Sequence, residues 1–333
     1  MTIYDIAREA GVSIATVSRV LNGSGKVGER TRRRVQAVLD SQQYIPSRVA
    51  QGLASRQTSS VGVLTVDIRD VHHSSIAYMI EQTMAGAGYS TIVCNLGGTP
   101  ARLRGYLRAL LSHRVNGVFF VGSVFLNEPY AQPIRELLAD VPVVVVNGLL
   151  DMPNAYGVLV NECEGTRASV ERLIAAGRRR IAMVCSSPTR SDENKLRGYE
   201  QAMAAHGLET VTAQCARSLA GGEEAAAGLV REHPGLDAIQ FAEDITAVGG
   251  LRALSAAGLR VPQDVAVVGC NNSTYCDICT PRLSSVDNRL VEQGRAAAER
   301  MIAALQKRPA ARVVRLSCAF AARETTDAPA HGE

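Results

Sequence analysis

Apolar residues recur along this chain of 333 residues with two different rhythms. Near the start they come every three or four positions: Ile3, Ile6, Ala7 and Ala10, then Val17, Val20 and Leu21, then Val35, Val38 and Leu39. That spacing predicts three short amphipathic helices sharing one small core. Gly11 offers a position that tolerates positive φ, and Ser13 offers an oxygen to cap the second helix, so the first two helices should meet through a tight turn. Ile14, Ala15, Ser18, Arg19 and Asn22 then lie on the outward side or its margin. A face that is small at its start and carries one planar donor suits the major groove of DNA, where Arg pairs bidentately with guanine and small side chains touch a thymine methyl. The third helix, about Glu29 to Gln42, turns Arg32, Arg33 and Arg34 outward, towards phosphates. Tyr44-Ile45-Pro46 ends this unit, because proline disfavours helical geometry at the preceding residue. Ser47 to Ser55 has Val49, Ala50 and Leu53 at helical spacing but contains Gly52, so it is expected to order only on a partner.

From Val61 the rhythm changes to short apolar runs alternating with helical periods. Candidate strands are 61–66, 91–94, 117–121 and 143–146, separated by helices near 75–87, 101–113 and 133–138. The pattern then restarts, with strands at 181–185, 211–215, 238–241 and 265–268 among helices near 164–176, 193–206, 223–232 and 247–257. Runs apolar on both sides and spaced by helices predict parallel sheets covered on both faces, here two in series with a cleft between. A helix near 291–306 and a strand near 312–316 would complete the first lobe, and residues after Thr326 look frayed. Ligands of such sheets bind beyond the carboxyl ends of the strands.

Charge divides unevenly. The whole chain carries a formal +4, yet residues 1–57 hold nine basic and four acidic side chains, a surplus of five, which leaves the remainder near neutral. A basic head on a neutral body points to a polyanion met by the head alone. A hydrophobic content of 46% is ordinary for a globular protein, and no apolar run reaches the roughly 20 residues of a membrane span. With no secretory signal pattern at the amino terminus, a cytoplasmic protein is expected. The eight cysteines read as reduced thiols, because the single CxxC of Cys276 and Cys279 has neither a second pair nor a nearby His to complete a zinc set.

Catalytic signatures are missing. Gly23-Ser24-Gly25-Lys26 imitates a phosphate loop, but Val27 stands where Ser or Thr should hold magnesium and a helix precedes it where a strand is needed. There is no nucleophile elbow and no HExxH, and the adjacent Glu243 and Asp244 read as residues opening a helix. Neither an enzyme nor a cofactor or metal is expected.

The residues also carry a resemblance. Ile3-Tyr4-Asp5-Ile6-Ala7, Ala10-Gly11-Val12-Ser13, Thr16-Val17-Ser18-Arg19-Val20-Leu21-Asn22, Tyr44-Ile45-Pro46, Arg197-Gly198-Tyr199 and Val267-Val268-Gly269 resemble the lactose and galactose repressor (LacI/GalR) family. The likeness continues through Val261-Pro262 and Pro281-Arg282-Leu283, over nearly the whole chain. It implies a small all-α helix-turn-helix head (1–46), a hinge (47–59) and a two-lobed periplasmic-binding-protein-like domain of two doubly wound parallel sheets (60–326). The first lobe would take about 60–158 plus 288–316, the second about 159–287 plus 317–326, with 327–333 a frayed tail. By the same resemblance Ile14, Ala15 and Arg19 read bases, while Thr2, Tyr4, Thr16, Ser18, Asn22 and Lys26 hold phosphates or orient the helix. Tyr44, Ser47, Ala50 and Leu53 complete the DNA contact, with Leu53 wedged into the minor groove.

The cleft departs from the family pattern. Lys195 stands for an Arg, Glu243 for an Asn, Asn271 for an Asp, Asn288 for a Gln, Asn147 for an Asp, and the loop pair His72 and His73 for an aromatic pair. With Ser123, Thr189 and Ser191, these residues are the candidate effector contacts. Lys is a point charge without Arg's planar fork, so a polar metabolite such as a sugar or sugar acid is expected, with the histidines available to donate to an anion or bind metal. The resulting expectation is a transcriptional regulator, chiefly a repressor, that binds near-palindromic operator DNA as a homodimer under control of a small effector. A dimer is expected because no leucine heptad follows residue 325. The other reading is a periplasmic-type solute-binding protein without regulatory role.

Overall fold

Two compact units, Met1–Ser59 and Ser60–Glu333, divide the chain. The computed structural model describes residues 2–21, 27–42, 59–186 and 189–326. Asn22, Lys26, Tyr44, Ser47, Ala50, Leu53 and the tail 327–333 lie outside the described residues, as does the hinge up to its last position, Ser59.

In the first unit α1 (Ile3–Glu9), α2 (Ile14–Leu21) and α3 (Glu29–Ser41) enclose Ile6, Ala7, Ala10, Val17, Val35 and Leu39. Thr2 opens α1 with a capping box: its hydroxyl accepts from the Asp5 amide, and the Asp5 carboxylate accepts from the Thr2 amide at 2.9 Å. Gly11 takes φ +60° in the turn, and the Ser13 hydroxyl accepts from the Thr16 amide at 3.2 Å. Those two residues allow α2 to start with only four residues between it and α1. Arg34 reaches back to the Gly11 carbonyl at 3.3 Å and ties α3 to the turn.

The second unit contains two six-stranded sheets. The first has the order β11 (Val313–Leu316), β5 (Ala155–Val160), β4 (Val143–Val146), β3 (Gly117–Val121), β1 (Ser60–Thr65), β2 (Ser90–Asn95). The second runs β12 (Ala319–Ala321), β10 (Ser284–Asp287), β9 (Ala266–Cys270), β8 (Ala238–Phe241), β6 (Ile181–Cys185), β7 (Val211–Gln214). Every residue of β3, β4, β6, β8 and β9 is buried, as strands covered by helices on both faces must be. All pairings are parallel except β10 with β12, an antiparallel edge that the apolar pattern did not anticipate.

The chain changes sheet three times: between β5 and the helix Glu162–Ala175, between β10 and the helix Leu290–Leu305, and between β11 and β12. Leu290, Ala297, Ala298 and Met301 pack on the first sheet, whereas Val170, Leu173 and Ile174 pack on the second. In the second lobe, helices Leu219–Glu232 and Asp244–Ala256 approach backbone to backbone. A Cβ on Gly222 would overlap the Thr246 carbonyl, and one on Gly249 the Leu219 carbonyl. Among the described residues no helix is long and apolar enough to cross a membrane.

Candidate functional site

On the head, the outward side of α2 is open: Ile14, Ala15 and Arg19 are exposed, Thr16 and Ser18 half-buried, and Tyr4 projects from α1 with 67% exposure. Two hydroxyls assigned to phosphate already have internal partners. Thr2 donates to Asp5 at 2.9 Å, and Thr16 shares a 2.9 Å hydrogen bond with Ser13.

Between the lobes of the second unit lies a cleft of about 730 Å³. His72, His73, Ser123 and Asn147 line it from the first lobe, and Thr189, Ser191, Lys195 and Glu243 from the second. Asn271 and Asn288 do not line it; they are 4% and 1% exposed and lie behind Glu243. Their amides are spent on neighbours. Asn271 donates to Glu243 Oε2 at 2.6 Å, its oxygen lies 3.1 Å from His72 Nδ1, and Asn288 donates to that same oxygen at 3.0 Å. In this structure both side chains back the cleft wall.

The two histidines stand in the first turn of a helix, Val71–Gly86, and not in a loop. Asp70 starts that helix early because its carboxylate accepts from the His72 amide at 2.9 Å. Burial drives both imidazoles towards the neutral form, His72 to about 4. A neutral ring can still donate its one N–H to a ligand but brings no positive charge. Among the described residues no group of three or more His, Cys, Asp or Glu is arranged to hold a metal.

Lys195 is 2% exposed and serves carboxylates first. Its ammonium donates to the Ala242 carbonyl at 2.9 Å and lies 3.5 Å from Glu243, 3.7 Å from Asp192 and 3.9 Å from Glu162. Burial opposes its charge, but Glu243, Glu162 and Asp192 more than offset that, and its pKa stands well above the usual lysine value. Burial alone would raise the Glu243 carboxyl; the Arg217 guanidinium and the Lys195 ammonium hold it at about 2. Asp244 is different. Burial pushes it up to about 6, partly offset by hydrogen bonds from the Ser273 amide and from the hydroxyls of Ser273 and Ser285.

Arg217 and Asp70 complete the site, and sequence reasoning missed both. One terminal nitrogen of Arg217 donates to Asp70 Oδ2 at 3.0 Å and the other to Glu243 Oε1 at 2.6 Å, so one guanidinium joins the lobes. The signal was available. Arg217 follows β7 and precedes the capping Ser218, and Asp70 follows β1, both at carboxyl ends of strands. Ser123, Asn147 and Ser191 also border a second chamber of about 940 Å³, whose walls include Asn161, Glu162 and Arg197.

These groups predict opposed pH effects. His72 binds a proton less readily folded than unfolded, so its contribution is full above about 6.5 and is lost as pH falls towards 4. Asp244 has the opposite sign: its contribution is full below 3.8 and is lost as pH rises through about 6. In thermal melts between pH 6.5 and 4, His72→Gln should therefore lose less stability on acidification than wild type, and Asp244→Asn more. Parallel profiles for all three proteins would contradict the assignment.

Comparison with known proteins gives consistent matches. Residues 2–47 match the family profile of bacterial regulatory proteins, lacI family, and residues 170–326 that of a periplasmic binding protein-like domain. The chain is 36% identical over 295 residues to an HTH-type transcriptional regulator of Lachnoclostridium phytofermentans, covering 87% of this chain and 89% of that one. It is 32% identical over 300 residues to catabolite control protein A of Staphylococcus aureus, covering 88% and 89%. Among solved structures it is similar to the Lac repressor dimer bound to operator and the anti-inducer ONPF, with TM-score 0.89, 26% identity and coverage of 98% and 99%. It is also similar to the transcriptional regulator CelR in complex with cellobiose, with TM-score 0.72, 27% identity and the same coverage.

Proposed function

Because the chain belongs to the lacI family of bacterial regulatory proteins, we propose that it is a cytoplasmic repressor that binds a near-palindromic operator as a homodimer and releases or grips it according to a polar metabolite in the cleft. It is a DNA-binding transcriptional regulator with an effector-binding domain and not an enzyme. A solute-binding protein without a regulatory role is not favoured, since the match at residues 2–47 is to a DNA-binding regulator family. In this reading the head is residues 1–46, the hinge 47–59 and the effector domain 60–326.

One observation carries the proposal. The same chain presents Ile14, Ala15 and Arg19 to solvent on the second of three small helices and, in its other unit, a cleft whose two walls are joined by Arg217. A ligand that enters between Asp70 and Glu243 changes that joint, and with it the relation of the lobes. A coupling of about 1 to 3 kcal/mol would alter operator affinity roughly 5- to 150-fold.

Selection of duplexes from random DNA by the purified full chain tests the reading: two related half-sites should emerge, and an effector should change their retention. Arg19→Ala should relax preference at one base pair per half-site by about 1 to 3 kcal/mol while sparing non-specific binding. Enrichment of no duplex, or an unchanged preference in the variant, would count against it.

A further inference from the structure

We propose that the second chamber is a further subsite of the effector cleft, anchored on Glu162, and that the effector is built of two linked polyhydroxy units, one in each chamber. This rests on the interlobe cleft being the effector site. The chamber of about 940 Å³ meets the cleft of about 730 Å³ at Ser123, Asn147 and Ser191, which line both. Either volume alone lies in the range of ordinary small-molecule pockets, so together they offer more room than one sugar ring fills.

Glu162 gives the second chamber its chemistry. It is the first residue of the helix Glu162–Ala175, just after the chain leaves the first sheet, and only 2% of it is exposed. Its Oε1 accepts from the Ser191 hydroxyl at 2.6 Å and has the Lys195 ammonium at 3.9 Å. Among the described residues nothing donates to its Oε2. Leaving a buried acceptor unmatched is costly, and a hydroxyl of a ligand in this chamber supplies the missing donor. The surrounding wall suits further hydroxyls. Asn194, whose oxygen accepts from Arg197, adds an amide donor, and Ser191, having donated to Glu162, can still accept. At the junction Ser123 and Asn147 add a hydroxyl and an amide within reach of either unit. What the two chambers select is the number and reach of hydroxyl groups, whatever the charge of the ligand.

Calorimetric titration of the full chain with glucose, galactose, maltose, cellobiose and lactose tests this. At least one disaccharide should bind about tenfold more tightly than the better of its component monosaccharides, a difference of 1.4 kcal/mol. Glu162→Gln keeps an acceptor for Ser191 but puts an N–H donor in place of Oε2, and should remove most of that advantage. Ser317→Phe, at an exposed position on the wall of the second chamber and outside the Lys195 cluster, narrows the chamber and should do the same. Thermal melts of both variants establish that they fold. A monosaccharide that binds as tightly as every disaccharide containing it, or an advantage that survives both substitutions, overturns the subsite and leaves the cleft standing as the effector site. Silence from all five sugars overturns the two-unit effector as well, and operator retention then decides the cleft reading by itself.

Discussion

Replacing Lys195 by alanine should destabilise the Ser60–Glu333 unit by about 3 to 5 kcal/mol, the range for removing one partner of a buried ionic group. Glu162, Asp192 and Glu243 are each within 4 Å of the ammonium and nearly inaccessible to water. Without it, all three carboxylates lose the Lys195 ammonium, and Glu243 keeps its Arg217 contact. Urea unfolding at pH 7 measures the effect. A loss under about 1 kcal/mol at pH 7 would mean that water reaches the carboxylates. Any loss of effector response in this variant has to be read after its stability, since the ammonium holds the second lobe's wall before it can meet a ligand.

The second large effect is steric. Gly222→Ala should cost about 3 kcal/mol, at the upper end for overpacking, because the added methyl would fall on the Thr246 carbonyl of a facing helix and neither backbone can yield alone. Gly228, in the same helix, is the control. A Cβ there meets only the ends of Arg231 and Glu232 side chains at 3.9 and 4.0 Å, so Gly228→Ala should be neutral or gain roughly 0.5 to 1 kcal/mol from lower backbone entropy in the unfolded chain. Equal effects from the two substitutions, measured in one denaturation series, would refute the close helix approach.

Most strands were legible because their residues are apolar on both faces, as with Val143–Val146 and Gly117–Val121. Three strands were not: the short edge β12, β5 and β10. β5 pairs in parallel with β4 across residues 147–154 without an intervening helix, where parallel neighbours usually need a crossover of a dozen or more residues. β10 reads Ser-Ser-Val-Asp, polar by composition yet buried, because its hydroxyls find Thr326, the Arg323 carbonyl and Asp244. Helix starts were placed late wherever a cap decided them: Asp70, Thr189 and Ser218 each begin a helix three or four residues before the apolar rhythm is visible.

For the cleft, residue identities at strand ends were readable, but which side chains reach the cavity was not. Asn271 and Asn288 read as ligand contacts; in the structure Asn271 donates to Glu243 and Asn288 to Asn271. Arg217 shows in sequence only as a residue at the carboxyl end of a strand; its role comes from its place opposite Asp70, 147 residues away in the chain.

The three changes of sheet bear on how the protein is made. Residues 313–321 supply an edge strand to each sheet, β11 beside β5 and β12 beside β10. Neither lobe can therefore finish its sheet while its last stretch is still inside the ribosome, and a premature stop codon before residue 313 would harm both halves at once. Separating them as independent gene fragments would require joining two non-adjacent stretches of coding sequence for each lobe.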